Sequence, residues 1–209
     1  MRSVAADPPS QRPGGETART RKAALDATLA ELAVTGYGGL SVDAVALRAG
    51  VHKTTLYRRW GSKEHLVVDA VRTFAADSVI APDTGTVDED LRLWARSILE
   101  TITAADSGAV IKAIVGGAIE AVEVRNLLAD FYTTRLTAIV PVVERGIERG
   151  QLPDATDASE VIRQVSAPLY YRLLLTTEPL TPDTADLAAK AAVAAARAGV
   201  FVREDGTHS

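Results

Sequence analysis

Lys53, Thr54, Thr55, Tyr57, Arg58 and Arg59 crowd one short stretch of the chain, with Lys63 just beyond it. Within residues 52–60, Leu56 and Trp60 share one face at helical spacing, which leaves those six on the remaining faces. Each is a donor or a cation, and that helix carries no acid. Such a set suits a phosphate polymer: cations neutralise the backbone and supply affinity, while contacts to base edges supply specificity. Lys53, Thr54 and Thr55 occupy the first turn. There a lysine can donate to guanine O6 and N7, and a threonine methyl can meet the thymine methyl. Arg58 and Arg59 can serve phosphate or base. Lys63 lies beside a helix start, whose free N–H groups also favour a phosphate. The plainer reading is a solvated patch for the cations and a core position for Tyr57.

Two short elements must position that face. Ser41 is a suitable N-cap, since its hydroxyl can accept from a backbone N–H two or three residues on. Val42, Val45, Ala46 and Ala49 then give the first helix its apolar side. Gly50 ends it, because glycine takes the left-handed conformation without a Cβ penalty. Two short helices across a glycine turn, the second one basic, form the helix-turn-helix pattern of major-groove reading. Ser41 and Val42, where the first helix begins, join the candidate DNA contacts.

Six groups of residues agree at once with a known pattern: Gly36-Tyr37, Leu40-Ser41-Val42, Ala46-Leu47-Arg48-Ala49-Gly50-Val51, Thr55-Leu56-Tyr57-Arg58-Arg59-Trp60, Ser62-Lys63-Glu64 and Leu66-Val67. Between Thr17 and Val68 the chain resembles the DNA-binding domain of the tetracycline-repressor (TetR) family. Leu169-Tyr170-Tyr171-Arg172-Leu173-Leu174-Leu175 before Glu178-Pro179-Leu180-Thr181-Pro182 resembles one subgroup of it. The resemblance implies phosphate contacts at Tyr57 and Lys63, a homodimer held by a four-helix interface, and an effector pocket in the carboxy-terminal part. One position departs from the pattern. His65 stands where the family usually has the glutamate that completes a capping box with Ser62.

The 209 residues, 47% hydrophobic and 24% charged, have ordinary globular composition and length for one domain or two small ones. Cysteine is absent, which excludes disulfides and thiolate chemistry and fits a cytoplasmic location without requiring it. His52, His65 and His208 have no metal-ligand spacing, so neither a metal nor a cofactor is expected. No apolar run has membrane-spanning length and no signal-peptide core precedes the first helix, so no membrane partner is expected. The net charge of -4 hides an asymmetry. Through Lys63 there are ten Lys/Arg against five Asp/Glu, and thereafter thirteen against twenty-two. A basic amino-terminal third on an acidic body is the distribution expected of a nucleic-acid binder.

The pattern predicts an all-α fold of nine helices. A three-helix helix-turn-helix DNA-binding domain (residues 17–63) precedes a six-helix ligand-binding and dimerisation domain (64–203). A disordered arm (1–16) and a polar tail (204–209) flank them. Pro8, Pro9, Pro13 and Gly14-Gly15 argue against helix in the arm, from which Arg2 and Arg12 could trail into a groove. Helix one should run from near Thr17 to Gly36, and helix four from its Ser62 cap to about Ile80. Thr86 with Glu89 reads as a complete capping box. Asp106-Ser107 should cap a helix apolar nearly all round, hence buried, which Gly116-Gly117 ends or bends. Pro141 should kink the long helix that follows. Asp157 starts the next, and Thr181-Pro182 starts an alanine-rich last helix.

No activated nucleophile, histidine pair or phosphate-binding glycine loop appears, so there is no catalytic residue to name and an enzyme is not expected. One recognition helix reads too few base pairs to select a genomic site. The expected partners are therefore double-stranded DNA with a palindromic site and a second copy of the chain, joined through the last two helices. Trp94, Phe131, Tyr132, Arg135, Tyr170 and Tyr171 are candidate effector-pocket residues, each also an ordinary core or interface residue. Together these features describe a ligand-released transcriptional repressor. The alternatives are an effector-independent or architectural helix-turn-helix protein, or an activator.

Overall fold

A computed structural model describes residues 13–75 and 80–203, and their side chains except at 13–16, 75, 105 and 106. The expectations for residues 1–12 (Arg2 and Arg12 among them), 76–79 and the tail at 204–209 lie outside the described residues. Nine helices are present among the described residues: α1 Pro13–Gly39, α2 Val42–Ala49, α3 Lys53–Trp60, α4 Lys63–Ala75, α5 Val87–Thr103, α6 Ala105–Glu120, α7 Val122–Glu148, α8 Ala158–Leu175 and α9 Pro182–Arg197. The fold is all-α, a helix-turn-helix followed by a helical carboxy-terminal body. An isolated antiparallel bridge joins Thr156 to Val202 among the described residues.

Several boundaries differ from expectation. The first helix begins at Pro13 rather than near Thr17. Proline is tolerated in a first helical turn, where its missing N–H would have no partner anyway, so Pro13 starts the helix instead of barring it. Its regular winding breaks at Gly36, with φ 69°. Ile80 is not helical. Thr86 accepts from the Glu89 N–H at 3.4 Å, but the Glu89 carboxylate turns to Arg92, whose Nε donates to it at 2.7 Å. That box is therefore half made, whereas Thr181 and Thr184 form a reciprocal one. The cap of α6 is Ala104, which makes no side-chain bond, rather than Asp106 or Ser107.

The largest departure is at Gly116-Gly117, through which α6 continues unbroken to Glu120. A Cβ at Gly117 would lie 2.6 Å from Cγ of Tyr37, whose side chain is buried. The glycine is there for close approach between α6 and α1, not to end a helix. α6 serves two apolar clusters. Val110, Ala113, Ile114 and Ala118, at helical spacing, pack with α1–α4 and with Val124 and Leu127 of α7. Ile111 faces the second cluster, built from α5, α8, α9 and the Ile139-to-Val143 part of α7. A helix apolar on most sides thus stands between two cores. On the far side Arg96 reaches Asp186 of α9 with two bonds of 2.7 Å, and this pairing holds the Asp186 carboxyl below the usual range.

Adjacent glycines supply an internal control. Gly117→Ala should destabilise the protein by about 1–3 kcal/mol, because a buried ring must move. Gly116, with nothing within 4 Å of a Cβ, should accept alanine with a gain of up to about 1 kcal/mol from helix propensity. Thermal unfolding of both variants checks this, at about 2–4 °C for each kcal/mol in a chain of this size. Equal melting temperatures would contradict the close-approach role.

Candidate nucleic-acid interface and effector cavity

α2 forms because Ser41 caps it, accepting from the Ala44 N–H at 3.2 Å, while Val42, Val45 and Ala46 are buried beneath it. Gly50, at φ 67°, turns the chain, and the Val51 N–H closes the turn on the Ala46 carbonyl at 3.0 Å. α3 then buries Leu56 and Trp60 and directs Lys53, Thr54, Tyr57, Arg58 and Arg59 to solvent, with Thr55 half-buried. Tyr57 is 51% exposed and is not a core residue. Of the two readings of Val42, the apolar side of α2 and a DNA contact, the structure favours the first. Val42 is buried three positions before Val45, so its side chain packs the core and offers nothing to a groove.

One carboxylate anchors the end of α3. The indole Nε1 of Trp60 donates to Asp69 of α4 at 2.9 Å, and Arg21 of α1 donates to the same carboxylate at 2.5 Å. Arg48 ties α2 to α1 through Glu31 at 2.6 Å. The basic face is less free than its sequence suggests. Lys53 pairs with Asp43, on the first turn of α2, at 3.2 Å, both side chains being exposed. Arg59 lies 5.4 Å from the centroid of the Trp60 ring. Thr17 and Thr20 of α1 join Thr55, Arg58, Arg59 and Trp60 around a cleft beside the recognition helix.

Lys63 points inward. Its ammonium donates to the Tyr37 carbonyl at 3.2 Å and sits 4.3 Å over the centroid of the Tyr37 ring, a cation–π contact. The Tyr37 hydroxyl donates to Glu64 at 3.2 Å. Burial first, then the charge of Glu64 and the hydrogen bond to it, push the Tyr37 hydroxyl up to about 12, with smaller contributions from Glu123 and Glu120. His65 makes no capping box. Ser62 accepts from its backbone N–H at 3.3 Å, and its ring Nδ1 lies 3.1 Å from the Trp60 carbonyl.

A cavity of about 380 Å³ opens in the body between α5, α7 and α8. Trp94, Tyr132, Arg135 and Tyr170 line it, as do Ile98, Thr101, Thr133, Leu136, Ile162, Arg163, Ser166 and Ala167. The Tyr132 and Tyr170 rings meet edge to face at 5.2 Å. Burial raises both hydroxyls above the ordinary tyrosine value. Phe131 lies outside this cavity, lining a smaller neighbouring one with Tyr132 and stacking under Arg135 at 4.7 Å. Tyr171 is 57% exposed and also lies outside it. Several lining residues missing from the sequence reading lie at helical spacing from those named: Ile98 is one turn and Thr101 two turns after Trp94, and Ser166 is one turn before Tyr170. Helical spacing was the available signal.

Among the described residues no cluster of three or more His, Asp or Glu could hold a metal, and no single helix is long and apolar enough to cross a membrane. Two family models match the chain: "Bacterial regulatory proteins, tetR family" over residues 24–70, and "Tetracyclin repressor-like, C-terminal domain" over residues 81–192. The HTH-type transcriptional regulator AqdR of Rhodococcus erythropolis is 35% identical over 152 residues, covering 73% of each chain. The HTH-type regulator YdeS of Bacillus subtilis is 31% identical over 158 residues, 75% of this chain and 79% of that protein. A transcriptional regulator from Pseudomonas aeruginosa PAO1 shares the fold with a TM-score of 0.71 at 21% identity, covering 91% of this chain and 94% of that one.

The anchor at Asp69 is open to test. Asp69→Ala leaves the mostly buried Trp60 indole N–H unpaired and should cost about 1–3 kcal/mol. Asp69→Asn keeps an acceptor there and loses only the part-exposed pair with Arg21, worth at most about 1 kcal/mol. Urea unfolding followed by circular dichroism separates them, and an Asn variant as unstable as the Ala variant would contradict the indole's role.

Proposed function

The chain belongs to the TetR family of bacterial transcriptional regulators, and on that premise we propose that it is a repressor, binding a palindromic operator as a homodimer and leaving it when a small molecule fills the body cavity. The observation that carries the reading is the exposed basic face of α3, backed by the buried Leu56 and Trp60. Its relatives are regulators of transcription rather than enzymes. Residues 17–63 act as the reader and 64–203 as the effector-binding and dimerisation unit. DNA binding places its work in the cytoplasm.

Lys53, Thr54 and Thr55 enter the major groove and choose sequence, the lysine exchanging Asp43 for a base acceptor. Tyr57, Arg58 and Arg59 hold the backbone, with Ser41 at the edge of the footprint. Lys63 contributes through its remaining N–H groups, its ammonium being held over Tyr37. The dimer forms through α8 and α9. Support comes from exposed Tyr171 and Leu175 on the first, and from exposed Leu187, Ala191 and Ala194, at helical spacing, on the second. Small side chains there let helices approach closely. Release follows if the effector prefers a conformation in which the two recognition helices no longer fit adjacent half-sites, since equal affinity for both states shifts nothing.

Titrating DNA affinity against salt tests the assignment of roles. Arg58→Ala should weaken binding alike on all sequences and reduce the salt slope by about one. Lys53→Ala should relax base preference at one position of each half-site, a discrimination of about 1–3 kcal/mol. A Lys53→Ala protein with the unaltered sequence preference would contradict the base-reading role.

A further inference from the structure

The residues that line the body cavity carry polar groups that are unbalanced in a way that points to a ligand class. Trp94 Nε1 and Arg135 Nε are both buried and both without a hydrogen-bond partner among the described residues. An indole N–H and a guanidinium can only donate. The Tyr132 and Tyr170 rings meet edge to face beside them, and each hydroxyl carries a proton to donate. The surrounding walls, Ile98, Leu136, Ile162 and Ala167, are apolar.

Charge is unbalanced in the same direction. Among the described residues no carboxylate lines the cavity. Arg163 also faces it, but its guanidinium is paired with Glu160 on the outside of α8. Arg135 has no such partner among the described residues. It is held instead by stacking 4.7 Å from the Phe131 centroid, and it is the charge that acts on both tyrosines. A guanidinium stays charged throughout the working pH range and matches a carboxylate with a planar fork of donors. A cationic ligand would meet that charge with no acid to receive it. A purely apolar one would leave the donors unpaired and buried.

We propose that this cavity is built for an apolar anion: a carboxylate, or an equivalent oxyanion, carried on a hydrocarbon or aromatic body. The anionic head pairs with the part-buried guanidinium of Arg135, and the body lies against the aliphatic wall. At about 380 Å³ the space has the size of an ordinary small-molecule site. This rests on the effector reading above. It adds that the head group is recognised by charge, through a residue on α7, the helix whose other end packs in the core of the DNA-reading unit.

The test uses the full-length protein and two matched series: decanoate, decanol and decylamine, then naphthoate, naphthalenemethanol and naphthalenemethylamine. Calorimetry and thermal shift should show a carboxylate binding at least about tenfold tighter than its alcohol, with no binding by the amine. Arg135→Met should bring the carboxylate down to the alcohol's affinity and leave the alcohol unchanged, while Arg135→Lys keeps part of the preference. An alcohol or amine binding as tightly as its carboxylate would overturn the proposal. So would undiminished carboxylate binding by Arg135→Met, or no binding by either carboxylate at roughly millimolar concentration. Should Arg135→Met fail to fold, the head-group comparison on the unaltered protein decides. Binding to the DNA-bound dimer separates the two ideas. A carboxylate that binds without releasing DNA upholds the anion site and removes the effector reading, while release by the alcohol at equal affinity does the reverse.

Discussion

The ring of Tyr37 lies against the bare backbone of Gly117, and most of the molecule's organisation follows from that contact. The distance leaves no room for a side chain on α6. The same tyrosine carries the Lys63 ammonium over its face and holds Glu64 through its hydroxyl, so it fixes the start of α4 as well as the end of α1. Glu120 and Glu123, at the corner between α6 and α7, also act on it. One buried side chain thus gathers the ends of four helices. Its position is over-determined by packing, hydrogen bonding and charge, and the pushed-up hydroxyl reports the burial.

The recognition helix depends on this joint indirectly. α3 is eight residues long and could not persist alone. It is held by Leu56 and Trp60 in the core and by the Trp60 indole on Asp69. The core that receives them is closed by α6 and the first turns of α7. Farther along α7, Tyr132 and Arg135 line the body cavity. A displacement of α7 by a ligand would therefore reach the packing beneath α3 without crossing a flexible linker. Interfaces packed this closely shift between discrete arrangements rather than deform gradually, which suits a two-state switch.

Much of this was legible in the chain. Ser41 as cap, Gly50 as turn, and Leu56 with Trp60 as the inward pair of α3 are local signals, and local physics decided them. The Thr181-Pro182 helix start was of the same kind. Tertiary constraints were not legible. Gly116-Gly117 looks like a break because glycine is a poor helix former, and only the approach of Tyr37 explains why one sits mid-helix. The Lys53–Asp43 pair crosses a turn, so helix-by-helix reading placed no acid near the basic face. In the cavity, aromatic residues drew notice while Ile98, Thr101 and Ser166 did not, although each is one or two turns from a residue that did. Tyr171 shows the opposite error, an aromatic that faces solvent. Pro13 begins a helix because the first turn needs no donor from it.

The central claim is that this chain reads DNA as a two-fold dimer through α3. The most direct measurement is enrichment of bound duplexes from a random DNA library by the full-length protein, followed by sequencing. The account predicts an inverted repeat whose half-site centres lie about 10 base pairs apart, or a multiple of that. Recovery of no sequence above the input library, or of a single half-site without its inverted partner, would contradict it.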